Sequence, residues 1–452
     1  MARTTTKIKQ ISAKTWEQIE LMRGIANEST YSYEQVKFLC NNIGPRLSGS
    51  PQAAAAIAYV SQQMRELGLD VRLEPVTVPH WVRGREEAEL IHYAGQVDGT
   101  AQKIVVTALG NSVPTSEQGI TASILVIDEF EQLERLPPDE VKGSVVLFNY
   151  RFDEFAARAG RWDEAYGAAV QYRNNGPARA AKKGAAATLV RSVGSGMFRL
   201  AHTGVTRYED GQPRIPAAAV PAEDADLMAD LAKEGAVTIH LVLTAQDLAP
   251  EQSYNIIADL KGKELSNQIV IVSGHLDSWD LGTGALDDAT GVGVTMDVVR
   301  IIIKVCPHPR RTIRFVAWMN EENGGAGGRA YAEDHASQLR DHVAAIEIDY
   351  GDGRPLALNV AGTDERLAPI GDILHIISEP IGGIVRVSES PGVDVTAICE
   401  AGVPAIAPLQ DGRHYFDYHH TAADTFDKVH IDEIRKIVEV ITPLVYALAQ
   451  HD

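Results

Sequence analysis

Four short stretches of this chain carry residue types that hold divalent cations and move protons, and each stands beside an apolar run or a turn. Ile269-Val270-Ile271-Val272 leads through Gly274 into His275-Leu276-Asp277, and a glycine-rich loop then brings Asp287-Asp288. Phe315-Val316-Ala317-Trp318-Met319 leads into Asn320-Glu321-Glu322, and Ala344-Ala345-Ile346-Glu347-Ile348 into Asp349. Late in the chain, Tyr418-His419-His420-Thr421-Ala422-Ala423-Asp424-Thr425 follows a turn. A neutral imidazole and a carboxylate on nearby loops suit a borderline cation such as zinc. The adjacent acids Glu321 and Glu322 can divide the chemistry, one facing a metal and the other a water whose proton it takes. Singly, each stretch also reads as a capping acid, a solvated pair or a hydrogen-bonded histidine. Four such loops on one sheet edge are much harder to explain that way.

The elements that must gather these loops are legible. Runs at Tyr254–Leu260, Ile269–Val272, Thr312–Met319 and Ala344–Asp349 read as strands with helices between them. Alternating strands and helices imply an α/β fold with a mostly parallel central sheet and right-handed crossovers. Open sheets of that kind place ligand sites outside the carboxyl ends of their strands. Residues 1 to about 30 read as a polar, helix-prone arm. Ser50 and Pro51 have the chemistry of an N-cap and a first helical residue, and the helix they open runs to about Leu67, with Gly68 as its stop. Val71–Val76 resumes as a strand.

From Gly110–Gly119 the texture changes. Short strands at Ile124–Ile127, Val145–Phe148 and Ala187–Val190, a helix over Ala178–Lys183 and an acidic helix from Ala222 suggest a separate covering or binding module. His202, in the loop His202-Thr203-Gly204, reads there as a loop residue rather than a ligand. No internal repeat or low-complexity tract interrupts the pattern.

At 452 residues the chain has room for two or three domains. Asp and Glu number 61 against 42 Lys and Arg, a formal charge of −19, so its surface should repel nucleic acid and anionic membranes. Cys40, Cys306 and Cys399 are too few and scattered for a disulfide framework or a zinc ribbon. No apolar run reaches the ~18 residues of a membrane span. Arg3, Lys7 and Lys9 make a basic start without the apolar core of a signal peptide, so the sequence reads as soluble and untargeted. A chain whose signal peptide had been removed would read the same.

In order, these motifs resemble the co-catalytic di-zinc exopeptidases, the family of bacterial leucyl aminopeptidases. That pattern is H-x-D, D-x-x-[SG]-G, E-E, D and H-[ST]-x-x-D-T; here Asp287-Asp288-Ala289-Thr290-Gly291 carries the one mild variant, Thr290. His275-Leu276-Asp277-Ser278-Trp279-Asp280, Arg191-Ser192-Val193 and His202-Thr203-Gly204 resemble the carboxypeptidase Q-like branch, which carries a protease-associated insert. The resemblance covers nearly the whole chain from about Tyr33. It implies a zinc exopeptidase fold with a first catalytic part over residues 1–118, a smaller α/β-type insert over 119–244 and a second catalytic part over 245–452.

It also implies two zinc ions per chain, with cobalt or manganese as substitutes. His275 and Asp349 would hold one ion, Glu322 and His420 the other, and Asp287 would bridge them. Glu321 would be the general base. Asp277 would hydrogen-bond the second nitrogen of His275, and Asp424 would do the same for His420. Relatives also have a cis peptide after the bridging acid. Some use a tyrosine to polarise the substrate carbonyl, but Ser388–Asp394 has none, and Tyr415 and Tyr418 are the substitutes, with packing their plainer role. The implied activity is removal of N-terminal residues from small peptides or dipeptides. The rivals are carboxypeptidase action on acidic C-termini, amide cyclisation, and a non-catalytic scaffold. Relatives of this branch are often secreted and dimeric, an analogy that allows a homodimer and leaves the compartment open.

Overall fold

Strands buried on both faces must be apolar at nearly every position, because neither side meets water. In the computed structural model, which describes residues 11–196, 198–209 and 211–451, Arg311–Trp318 is buried along its whole length and Leu265–His275 along its last seven residues. These strands lie at the centre of the first of two eight-stranded sheets, ordered Asp70–Val82, Gln246–Leu260, Arg311–Trp318, Leu265–His275, His342–Glu347, Ala405–Gln410, Pro355–Ala361 and Ile384–Arg386. The middle four run parallel, with Val270 opposite both Ile313 and Ala344, and Ile346 opposite Ile406. Their carboxyl ends therefore share one edge. Antiparallel pairs flank them on either side.

One face of this sheet is covered by helices Thr290–Val305 and Ile431–Gln450. The second buries Ile434, Ile437, Val438, Ile441, Leu444, Val445 and Leu448, a spacing that puts one stripe on the core. Burying each such side chain stabilises the fold by roughly 1.5–3 kcal/mol before the cost of ordering it. Helix Ala13–Glu28 packs on Ile431–Gln450 and supplies the described part of the expected arm. Residues 1–10, with Arg3, Lys7 and Lys9, lie outside the described residues. Ser50 caps helix Pro51–Glu66 by accepting from the Ala53 N–H at 3.1 Å, as its sequence predicts.

The second sheet is ordered Gln102–Ile104, Glu86–His92, Thr238–Leu243, Ile120–Ile127, Val145–Phe148, Ala187–Arg191, Ala217–Val220 and Thr107–Ala108. It begins at Glu86, well ahead of residue 119, where the change of texture put the insert. Glu86–His92 sends only Ala88 and Leu90 fully inward, too weak an alternation to stand out among its acids. The chain leaves the first sheet along Asp70–Val82 and returns along Gln246–Leu260, two strands paired antiparallel from Asp70↔Asp259 to Val82↔Gln246.

The helix expected at Ala178–Lys183 is the end of a much longer one, Trp162–Lys182. Gly167, Gly176 and Pro177 interrupt its sequence pattern, and burial of Trp162, Ala165, Ala169, Tyr172 and Arg173 overrides their low propensity. The three cysteines are free thiols. Among the described residues no helix is long and apolar enough to cross a membrane.

Candidate metal centre

Most of the acids and histidines expected at the site stand in the segments that follow parallel strands of the first sheet. His275 closes its strand. Glu321 and Glu322 follow Arg311–Trp318, Asp349 follows His342–Glu347, and His420 lies in the turns after Ala405–Gln410. The chain then brings Asp287 back beside His275 through a tight turn that opens helix Thr290–Val305, and the Asp287–Asp288 peptide is cis. That turn packs closely: a Cβ on Gly291 would lie 2.0 Å from the Ile348 carbonyl oxygen and 2.3 Å from Asp288 Oδ2. Only glycine fits there, a steric reason for the last position of the motif.

The five expected ligands converge. His275 Nε2 is 3.0 Å from Asp287 Oδ1 and 3.3 Å from Asp349 Oδ1. His420 Nε2 is 3.3 Å from Asp287 Oδ2 and 3.0 Å from Glu322 Oε2. The two oxygens of Asp287 thus face different imidazoles. His419 stacks on His420 at 3.6 Å between ring centroids, but its Nε2 meets one carboxylate, Asp287, at 3.5 Å. Zinc bonds of ~2.0–2.1 Å in a tetrahedron put donor atoms ~3.3 Å apart, which is the spacing found.

The donor chemistry also fits a cation. His275 Nδ1–H donates to the Asp277 carbonyl at 2.9 Å and His420 Nδ1–H to the Thr203 carbonyl at 3.2 Å. With the hydrogen on Nδ1, each Nε2 turns a lone pair toward carboxylate oxygens, and Asp349 Oδ1 is buried without a hydrogen bond. Lone pairs facing one another in a buried site need a cation between them. Asp277, Asp287, Asp288 and Glu322 are all buried, and Glu321 and Asp349 partly so. Even two protonated imidazoles would leave an excess of negative charge. Burial and then the neighbouring acids Asp287 and Glu321 push the Glu322 carboxyl well above its usual range. Burial draws His275 down, but Asp349 and Asp287 outweigh it and the net direction is strongly up. Both directions express the crowding of buried acids around two imidazoles.

Glu321 differs from its neighbour. Glu322 Oε1 accepts the Trp279 N–H at 3.1 Å, whereas nothing among the described residues donates to the Glu321 side chain. Its backbone is held instead: Asp277 Oδ1 accepts the N–H groups of Asn320 and Glu321 at 2.7 and 3.1 Å.

That arrangement corrects two expectations. The Asp277 carboxylate stays 4.0 Å from His275 Nδ1; the backbone carbonyl of the same residue sets the tautomer, and the carboxylate fixes the loop carrying the glutamates. Asp424 does not meet His420. Its Oδ1 accepts from the N–H groups of Ala285 and Leu286 at 3.0 and 2.7 Å, and its Oδ2 from that of Asp287 at 3.2 Å. It holds the turn bearing Asp287. Tyr415 stacks on Tyr350, and Tyr418 lies under the Lys428 ammonium, so both pack as rings.

Four residues of the site escaped the sequence reading. Arg46, fully buried, donates to the carbonyls of Gly44, Leu276, Thr283 and Gly284 and pins the loop between His275 and Asp287. From the second module, Arg173 donates to the Thr203 carbonyl at 3.1 Å and to the Tyr166 hydroxyl at 2.8 Å, with Nη1 3.3 Å from His420 Nδ1. Tyr166 and Arg173 are seven residues apart on one helix, two turns on the same face. Thr203 acts through its backbone, which no side-chain motif advertises. His202 is buried beside them and is no ligand; burial and then His420 hold it neutral, pushing its pKa down to about 3.

Residues 255–445 match the description peptidase family M28. The chain is 35% identical to carboxypeptidase Q of Homo sapiens over 431 residues, 92% of this chain and 87% of that protein. It is 23% identical to the aminopeptidase YwaD of Bacillus subtilis over 434 residues, 94% and 86% of the two chains. The crystal structure of a peptidase M28 precursor from Shewanella amazonensis covers 97% of each chain with a TM-score of 0.89 at 34% identity. The zinc aminopeptidase BSAP of Bacillus subtilis shares the fold, with a TM-score of 0.69 at 21% identity over 93% of this chain and 95% of its own.

Proposed function

The chain belongs to peptidase family M28 and is a metal-dependent exopeptidase; from that premise we propose that it holds two zinc ions and removes the N-terminal residue of dipeptides and short peptides. His275 and Asp349 would bind one ion, His420 and Glu322 the other, and Asp287 both. The observation that carries this reading is Asp287, whose Oδ1 faces His275 Nε2 at 3.0 Å while its Oδ2 faces His420 Nε2 at 3.3 Å. When bound, zinc supplies Lewis acidity to the scissile carbonyl and the attacking water.

The remaining chemistry belongs to the side chains. Glu321, ionised once the cations offset its neighbours, takes the water proton at its carboxylate and returns it to the leaving nitrogen. Asp277 keeps that carboxylate aimed by holding the Asn320 and Glu321 N–H groups. Asp277 and Thr203 present both imidazoles in one tautomer through their carbonyls.

The cavity that adjoins Asp349 supports our reading of the polarity of attack. Asp163, Glu347, Asp349 and Glu389 line it and no lysine or arginine does. An acidic lining beside the centre disfavours a substrate's C-terminal carboxylate or glutamate side chain there, which supports the aminopeptidase reading over carboxypeptidase action on acidic ends. The test measures metal content and hydrolysis of Leu-Ala, N-acetyl-Leu-Ala and Leu-Ala-amide by wild type and Glu321→Ala. About two zinc per chain in both proteins is expected. Wild type should cleave the two free-amine substrates, and the variant should lose at least about a thousandfold in kcat. Cleavage of N-acetyl-Leu-Ala together with failure on Leu-Ala-amide would overturn the polarity, and failure to bind metal would overturn the mechanism.

A further inference from the structure

We infer that the cavity beside Asp349 receives the side chain of the substrate's N-terminal residue and selects a cationic one. The inference rests on the aminopeptidase reading above and goes beyond it in naming the residue class. The cavity is about 380 Å³ and shares Asp349 with the metal centre, so its occupant lies next to the site of attack. Under the aminopeptidase reading that occupant is the side chain of the N-terminal residue.

Its floor is polar. Gln410, 1% exposed, donates through Nε2 to the carbonyls of Gly351 and Gly353 at 2.8 and 3.2 Å. Its Oε1 is left as a buried acceptor with no hydrogen bond. Such an acceptor asks for a donor from the ligand. Asn359 also lines the cavity.

The rim is acidic. Asp163, from the first turn of helix Trp162–Lys182, accepts the Tyr350 hydroxyl on Oδ1, which leaves Oδ2 open. Glu389 is exposed and makes no ion pair among the described residues. Glu347, also in the lining, is already committed to the backbone N–H groups of Asp394 and Val395. Trp162 and Tyr350 add aromatic walls, on whose faces a cation is attracted. An aliphatic side chain would give the floor acceptor no donor, and a glutamate side chain would meet like charge at the rim. A lysine side chain lays its methylenes on the rings and carries three donors to the acceptors.

The test compares kcat/KM of the zinc-loaded enzyme for Lys-Ala, Leu-Ala and Glu-Ala. Lys-Ala should exceed Leu-Ala roughly tenfold and Glu-Ala roughly a hundredfold. Glu389→Lys should cut the Lys-to-Glu ratio at least roughly tenfold, Asp163→Asn should lower it too, and Gln410→Leu should lower the Lys-to-Leu ratio. Because each ratio is internal to one variant, loss of folded protein cancels. Binding of lysinamide against leucinamide to Glu321→Ala, followed by calorimetry, should give the same order without turnover. Dipeptide hydrolysis without a preference for lysine, or a ratio untouched by Glu389→Lys, overturns this inference and leaves the exopeptidase reading standing. No hydrolysis together with no ranking in binding overturns both.

Discussion

Replacing Asp424 by asparagine separates two ways in which that carboxylate can serve the metal centre. In the structure it holds no histidine; it accepts the N–H groups of Ala285 and Leu286 on Oδ1 and of Asp287 on Oδ2. Asparagine has the same shape. Its amide oxygen can keep the first two bonds, but its NH₂ then meets the Asp287 N–H, donor against donor. One bond to a carboxylate is lost, worth roughly 1.5–3 kcal/mol, and the other two lose their charge assistance. A buried N–H left unpaired costs ~1–3 kcal/mol, which includes part of the same loss. About 3 kcal/mol in total is therefore at stake, placed on the residue that faces both imidazoles. Felt wholly by the metals, that is about a hundredfold in affinity; with the turn relaxing, 10–100-fold is expected. The assay is zinc titration of the metal-free protein against a chelator of known affinity, read at both steps. Action through Asp287 weakens both ions, whereas action through His420 would weaken one. Retention of both affinities within about threefold, or a loss confined to a single ion, would refute the argument.

Gly291→Ala should abolish tight metal binding and destabilise the fold by at least about 3 kcal/mol, because its Cβ would lie 2.0 Å from the Ile348 carbonyl oxygen; a melting temperature within a degree or two of wild type would count against the packing described. Away from the site, His342 is buried between the Tyr331 hydroxyl and the Gln338 carbonyl, and burial pushes its pKa down to about 4. A histidine depressed in the folded state stabilises the protein above its unfolded pKa of about 6.5, and that stability is lost as pH falls toward 4. The loss should reach about 2 kcal/mol between pH 6.5 and 5, and urea titrations of His342→Gln in that window should show a shallower dependence by that amount.

The legible part of the molecule was the part whose chemistry lies in side-chain types. Ile269–Val272 had to be a doubly buried strand, and a histidine at its end had to reach the sheet edge, so the residues that converge on Asp287 could be picked out from spacing and resemblance. The supports were hidden because they are backbone atoms or buried cations. The carbonyls of Asp277 and Thr203 hold the two imidazoles, and any residue supplies a carbonyl. The Asp277 side chain was noticed for the right neighbourhood and given the wrong partner, since an H-x-D spacing does not say whether the carboxylate or the carbonyl of the third residue turns back. Arg173 was missed with its helix, whose glycines and Pro177 conceal a burial pattern that tertiary contacts impose. Glu86–His92 has two fully inward residues among its glutamates, too few for the alternation of a strand to show in the sequence. The change of texture near Gly110–Gly119 therefore falls later than the first strand of the second sheet.

The ribbon of Asp70–Val82 and Gln246–Leu260 joins the two modules by adjacent, paired strands. In purely architectural terms the second module is a detachable side branch, since a short turn linking Val82 to Gln246 would leave every strand of the first sheet with its neighbours. The chemistry does not divide along that line. The acceptor for His420 Nδ1 is the Thr203 carbonyl, steadied by Arg173, and both lie on the branch. A core released by such an excision would keep all five proposed ligands and its complete sheet, yet one imidazole would lose the partner that orients it. The module is thus coupled to the chemistry of the core as well as to its backbone, through the Thr203 carbonyl and the contacts beside it, such as Arg83 with Asp280 and Ser195 with Asp417.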